Sequence, residues 1–293
     1  MVDFGADESF GKACAKLKEH YGLEVGASRV REECLLKARE LPQQAQGART
    51  LAAKGSEAII AEADGTMIPV VDIAQEQADR RKHRKTRWQE MRLVAAQAQG
   101  SVKTHYAAGF DTPEQTGSRW TQVVRQAGWS AQSHIHGVGD GADWIASQFE
   151  QHFGSRGNYT LDMYHVCEYL SACAPPGQAD YVGKAREALK QNKTSELISE
   201  LASRLEPESA ADENAPVRRA HRYLEKRRGQ LDYQGALARG LPIGSGLIES
   251  GHRHVLQARL KIPGAWWKPD NAHAMAQLRT CRANGLWHTL WMN

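Results

Sequence analysis

Three acidic residues stand in short motifs of similar make: Asp64 in EADGTMIPV, Asp140 in GVGDGADWI and Glu249 in LPIGSGLIESGHRHV. Asp64 and Asp140 each close an apolar run and precede a glycine, the setting of a strand tip. Glu249 falls in the first turn of a helix opened by Gly-Ser-Gly, where the helix dipole favours an ionised carboxylate. Carboxylate oxygens drawn from distant places suit hard divalent cations such as Mg2+ or Mn2+. Two such ions about 4 Å apart stabilise the attacking and the leaving oxygen of an in-line displacement at phosphorus. The chemistry expected of Asp64, Asp140 and Glu249 is therefore phosphoryl transfer on nucleic acid. Taken singly, each acid also fits a turn or cap, since Asp-Gly is a common turn dipeptide. The combination carries the reading.

Alternating elements must position these acids. Residues 57–64 read as a strand, 88–100 and 101–110 as two more turning at Gly100-Ser101, and 112–129 as a helix. Strand 130–140, helix 142–154 and strand 158–164 follow, which makes a mixed α/β domain. Residues 165–235 break the alternation and read as helices, with an acidic stretch at 207–216 expected to be mobile. Within them, 175–235 reads as a helical insertion between the second and third acids. Beyond LPIGSG, the apolar spacing of Ile248, Gly251, Val255, Ala258 and Ile262 predicts one buried helix face. Residues 8–48 read as two helices, the second starting at a Ser28 cap and stopping before Pro42. They fit either part of a helix-turn-helix or a helical hairpin packed on the next domain. The domains expected are thus 1–50 and 51–293.

Composition agrees with a globular protein that meets a polyanion. The 293 residues carry 38 Lys+Arg against 34 Asp+Glu, a net charge of +4, which is mildly basic. Five cysteines, odd in number and without a C-x-x-C pair, argue against a disulfide framework or zinc knuckle and for a reducing cytoplasm. The N-terminus lacks the pattern of a secretion signal, and no apolar run is long enough to span a membrane.

Basic residues supply candidate DNA contacts. The run RRKHRKTR (80–87) fits a loop that tracks phosphates, and equally a solvated hairpin connection. The helix VRRAHRYLEKRRG (217–229) is either a DNA-facing or a solvated basic face. Arg253, Arg259 and Lys261, which follow Glu249, are expected to touch DNA. Asp143 is expected to face solvent. Trp266, Trp267, Trp287 and Trp291 read as core or packing aromatics, with base stacking as the rarer alternative.

The stretches DGTMIP, GDGADWI, LDMYHVCEYL, GLPIGSGLIES and RLKIPGAWW occur in one order that resembles bacterial insertion-sequence transposases of the DDE class. The similarity is to their Kra-type group, distant relatives of the Mutator-like superfamily, and it spans roughly residues 8–293. The last stretch matches an R-L-K-x-x-G-x-x-W pattern through Arg259, Leu260, Lys261, Gly264 and Trp267. The resemblance implies an RNase H-like catalytic domain with a helical insertion before the final glutamate. It implies Asp64, Asp140 and Glu249 as the metal-binding triad for two Mg2+ or Mn2+ ions. In that fold the first and fourth strands lie side by side, which would bring Asp64 and Asp140 together. Asp162 and His165 in LDMYH form a pair similar to the C/D-x-x-H motif of Mutator-like enzymes, and a supporting role is expected of both. At the end of the fifth strand His165 either faces the cleft or packs there with Asp162 fixing its tautomer. Such transposases carry a longer N-terminal DNA-binding region, so an N-terminally shortened copy is expected.

The expected function is metal-dependent DNA cleavage at element ends followed by strand transfer into target DNA. Its partner would be double-stranded DNA bearing terminal inverted repeats, met by a homodimer or higher oligomer. Two other readings fit the same residues: a metal-dependent nuclease on this fold, and a derivative that only binds DNA.

Overall fold

The computed structural model describes residues 1–41, 51, 53–73 and 84–292. Residues 42–50 of the N-terminal segment and 80–83 of the basic run lie outside the described residues. The chain divides into two compact units: Met1–Ile59, Ala63–Gln132 and Gly246–Asn293 form the first, and Ile60–Glu62 with Ser133–Ser245 form the second.

The first unit opens with α1 (Val2–Asp7), α2 (Phe10–Tyr21) and α3 (Ala27–Glu40). The Ser9 side chain caps α2 by accepting from Lys12 N, and Gly22 ends it in the left-handed region at φ 67°. The third helix starts just ahead of the expected Ser28 cap, at Gly26. These helices do not stand apart. Ala6, Leu17, Val30 and Cys34 are buried in one core with Ile68, Leu93 and Leu278, each aliphatic contributing roughly 1.5–3 kcal/mol. Asp3 and Asp7 of α1 pair with Arg279 and Arg282, and Trp287 Nε1 donates to Asp3 at 2.6 Å.

The strands of this unit are β1 (Ala58–Ile73), β2 (Arg84–Ala98) and β3 (Thr104–Gly109), followed by α4 (Pro113–Gln126). Thr112 and Gln115 form a reciprocal capping box at the start of α4. Strands β2 and β3 are antiparallel, from Arg92↔Gly109 to Gln97↔Thr104. One expectation is corrected here: β1 does not end at Asp64 but continues to Ile73, so Asp64 is a mid-strand residue. Extended backbone through Thr66, Ile68, Val70 and Val71 buries all four side chains, and that gain outweighs the turn preference of Asp-Gly. Pro69 is tolerated because its side of the strand is met by a loop: its carbonyl accepts from Trp267 N, and Val71 N donates to Trp267 O.

The second unit holds β4 (His134–Gly139), α5 (Asp143–Phe153), β5 (Gly157–Leu161), α6 (Met163–Ala172), α7 (Tyr181–Lys190), α8 (Thr194–Ala202), α9 (Pro216–Lys226) and α10 (Tyr233–Ala238). Strands β4 and β5 are parallel, in register from Ile135↔Gly157 to Gly139↔Leu161. The acidic stretch at 207–216 is ordered, contrary to expectation. Glu206 accepts from Val217 N and Arg218 N at 2.8 Å each, Arg218 donates to the Pro207 and Ala210 carbonyls, and Arg222 pairs with Asp212. These contacts tie the acidic residues to the first turns of α9.

His136 on β4 is wholly buried. Its Nε2 donates to the Pro242 carbonyl at 2.7 Å, while Nδ1 has no hydrogen-bond partner. Burial pulls the imidazole down to about 4. Below pH 6.5 the unfolded chain takes up a proton that the folded chain refuses, so this contribution to stability is present above pH 6.5 and lost as the pH falls toward 4. Urea unfolding at pH 7 and pH 4.5 should show a drop about 2 kcal/mol larger in the native chain than in His136→Gln. Equal drops would dismiss His136 as the acid-sensitive group.

The chain then returns to the first unit with α11 (Gly246–Gly251), a π-helical turn (His252–Gln257), α12 (Ala258–Leu260) and α13 (Pro269–Ala283). The π turn shifts the helical phase. Ile248, Gly251 and Val255 are buried as expected, but Ala258 is exposed and Leu256, Arg259 and Leu260 take the inward positions. The five strands form one mixed sheet in the order β3-β2-β1-β4-β5, with β1 contributing to both units. All five cysteines are free. Among the described residues no helix is long and apolar enough to cross a membrane.

Candidate active site

In the first unit, Asp64 projects from β1 with its carboxylate part exposed. Oδ1 accepts from Gly65 N at 2.7 Å, and Oδ2 lies 3.2 Å from His252 Nε2. That is ion-pair distance without the alignment of a hydrogen bond, so both ring nitrogens of the buried His252 lack a hydrogen-bond partner. His252 opens the π turn directly after α11. Glu249 sits three residues earlier on the same continuous helix and is exposed, and side chains at this spacing are neighbours on a helix surface. The structure thus brings Asp64 to the helix that carries Glu249, through a histidine that sequence reasoning missed. The available signal was the three-residue step from Glu249 to His252.

Asp140 belongs to the second unit, at the end of β4. Its Oδ1 accepts from Ala142 N at 2.8 Å. The next residue, Gly141, has φ 79°, a conformation that favours glycine. A Cβ there would also collide with Leu161 and Arg227. The backbone carbonyls of this turn are held from the end of α9: Tyr223 Oη donates to Asp140 O at 2.7 Å, and Arg227, the C-cap of α9, donates to Gly141 O from Nε at 2.9 Å and Nη2 at 2.6 Å. Gly141 N in turn donates to Tyr159 Oη at 3.3 Å. Burial pushes the phenols of Tyr159 and Tyr223 up, so both keep their protons. Asp143 is exposed, as expected, and pairs with Lys226 at 2.8 Å.

Asp162 and His165 turn to different partners. Strand β5 stops at Leu161, so Asp162 becomes the N-cap of α6 and His165 falls in its first turn. The Asp162 carboxylate is fully buried; it accepts from Tyr164 N at 2.6 Å, from Ser245 N at 2.8 Å and from Ser245 Oγ. It therefore pins the residue that precedes α11. His165 turns to Glu168, 3.3 Å away.

The basic residues divide sharply. Arg253 is exposed and Lys261 half-buried, with burial lowering the Lys261 ammonium. Arg259, expected to touch DNA, is 2% exposed. Its guanidinium lies 4.6 Å from the Phe10 ring and 4.8 Å from the Trp267 ring, and Nε donates to Gly5 O at 3.0 Å. Two aromatic faces and a carbonyl replace its water, which is why this charge is inside. Trp267 is likewise core, whereas Trp266 is exposed with its ring 6.2 Å from Trp88. The basic residues of α9 and the turn after it are largely spent on internal contacts through Arg218, Arg222, Lys226, Arg227 and Arg228.

Among the described residues no group of three or more His, Cys, Asp or Glu side chains is gathered as a metal site. No curated protein matches the chain. Its sequence matches a family profile along nearly its whole length, from residue 5 to residue 291, and the chain therefore belongs to the uncharacterised protein family UPF0236.

Proposed function

We propose that this protein is a DDE transposase acting on double-stranded DNA, with Asp64, Asp140 and Glu249 as its metal-binding triad on an RNase H-like sheet. The observation that carries the reading is the approach of Asp64 to His252, which joins the strand of the first acid to the helix of the third. The sheet order, in which β1 neighbours β4, supports the fold assignment. The donor set fits Mg2+ or Mn2+: three carboxylates, hard oxygen ligands, with Asp64 and Glu249 open to solvent. Two such ions, when bound, would stabilise the attacking and leaving oxygens at phosphorus.

The chain's own residues divide the remaining work. His252 stands 3.2 Å behind the Asp64 carboxylate on the buried side, the place from which residues behind a ligand commonly orient it. Asp162 holds Ser245 and so sets where α11 begins. Arg253 is the exposed cation beside Glu249 that is free to meet a phosphate. In the first step water attacks an element-end phosphodiester and the 3′-oxygen leaves as a hydroxyl. In the second that hydroxyl attacks a target phosphodiester, forming one P–O bond as another breaks.

The test is a strand-transfer assay with Mg2+ or Mn2+ on duplex DNA carrying matched terminal inverted repeats, compared with duplex DNA that lacks them. Joined products on repeat DNA are expected. Nicking without joining would replace the transposase with a nuclease, and binding without nicking would leave only a DNA-binding protein.

A further inference from the structure

We infer that Tyr223 on α9 and Arg227 at its C-cap are positioning residues for Asp140, so that this end of the basic helix serves the site from behind rather than gripping DNA with these two side chains. The inference rests on the reading of Asp140 as a metal ligand.

The turn after β4 must present a carboxylate in one direction while passing through a left-handed glycine. Asp140 spends Oδ1 on Ala142 N, and no hydrogen bond occupies Oδ2 among the described residues. The orientation of the carboxylate is then set by the two peptide planes that follow Asp140, the second of which carries Ala142 N. The carbonyls of these planes, those of Asp140 and Gly141, are held by Tyr223 on the last turn of α9 and by Arg227 at its C-cap. One end of a single helix thus fixes both planes.

The two holders are themselves held. The Tyr223 ring stacks on Tyr169 at 4.0 Å and 11°, and the Arg227 guanidinium lies 4.4 Å from the Tyr223 ring. Arg227 also lies 3.5 Å from Asp143, on the first turn of α5. A pair of donors whose task was only to satisfy buried carbonyls would not need this support on several sides. Support of this kind is what a ligand-orienting shell requires, and losing one member of such a shell commonly weakens metal affinity about 10–100-fold.

The experiment is calorimetric Mn2+ titration of the full chain, with melting temperatures measured alongside. Asp140→Asn is expected to lose at least about tenfold in affinity. Tyr223→Phe and Arg227→Gln are each expected to weaken Mn2+ binding about tenfold, and Arg227→Lys, which still donates to one carbonyl, to recover part of the loss. Arg204→Gln is the structural control. It releases Glu200 and the Cys173 carbonyl within the same unit, away from the turn, and should melt lower while binding Mn2+ as the native chain does. Native-like binding by Tyr223→Phe and Arg227→Gln beside an impaired Asp140→Asn overturns the positioning role. Equal weakening in Arg204→Gln overturns it too, by reducing the effect to general loosening. Native-like binding by Asp140→Asn instead overturns the reading of the site itself.

Discussion

Replacing Asp64 or Asp140 with Asn, or Glu249 with Gln, is expected to reduce Mg2+-dependent DNA nicking at least about 10³-fold, equivalent to roughly 4 kcal/mol of barrier. The amides keep the size of each side chain and remove its charge, which is what holds a divalent cation. Asp64 and Glu249 are not deeply buried, so their replacement should cost little stability and leave duplex binding within about twofold, since affinity comes mainly from phosphate contacts. The three losses should not multiply. A double variant is expected to be no slower than the worse single one, because the acids act as a unit. Single-turnover nicking of an end-labelled duplex, with fluorescence anisotropy for binding, measures both quantities. Strand transfer retained by Asp64→Ala would refute the assignment.

The second large effect concerns stability. Arg259→Ala should lower unfolding free energy by about 3–4 kcal/mol, the range for emptying a large buried site. The substitution removes the guanidinium from between Phe10 and Trp267, orphans the Gly5 carbonyl and frees the N-terminal helices from the region after α11. Arg259→Met should lose less, because it refills the space with apolar volume. Neither variant should change the slope of binding affinity against salt. A phosphate contact would show the opposite pattern, intact stability with a slope reduced by about 0.9. Urea denaturation and salt-dependent anisotropy on the same samples separate the two roles.

Arg259 and Asp64 illustrate what could be read from the chain and what could not. The local signal held at Gly141, the glycine after Asp140, which takes the left-handed region, because such a turn depends on neighbours a few residues away. The alternation of strands and helices from β2 to β5 was legible for the same reason. Errors arose where partners are distant. Arg259 looked like a surface cation because nothing near it announces Phe10, some 250 positions away. Asp64-Gly65 looked like a turn because the burial that extends β1 comes from helices at both ends of the chain. The drift of the Glu249 helix face past Val255 follows from one π turn, a change of hydrogen-bonding pattern that hydrophobic spacing does not encode.

The division of the chain also has a consequence for its synthesis. The first unit is completed by residues from Gly246 onward, and the second is finished by Ser245. On a ribosome adding about 5–20 residues per second, the second unit is complete while the first still lacks the segment that buries its strands. For about 10–40 seconds Ile68, Val70 and Leu93 are synthesised without Leu256, Leu260 and Met275 to cover them. The unit that starts first is thus the last to be completed, and its uncovered strands are the apolar surface that a nascent-chain chaperone would meet.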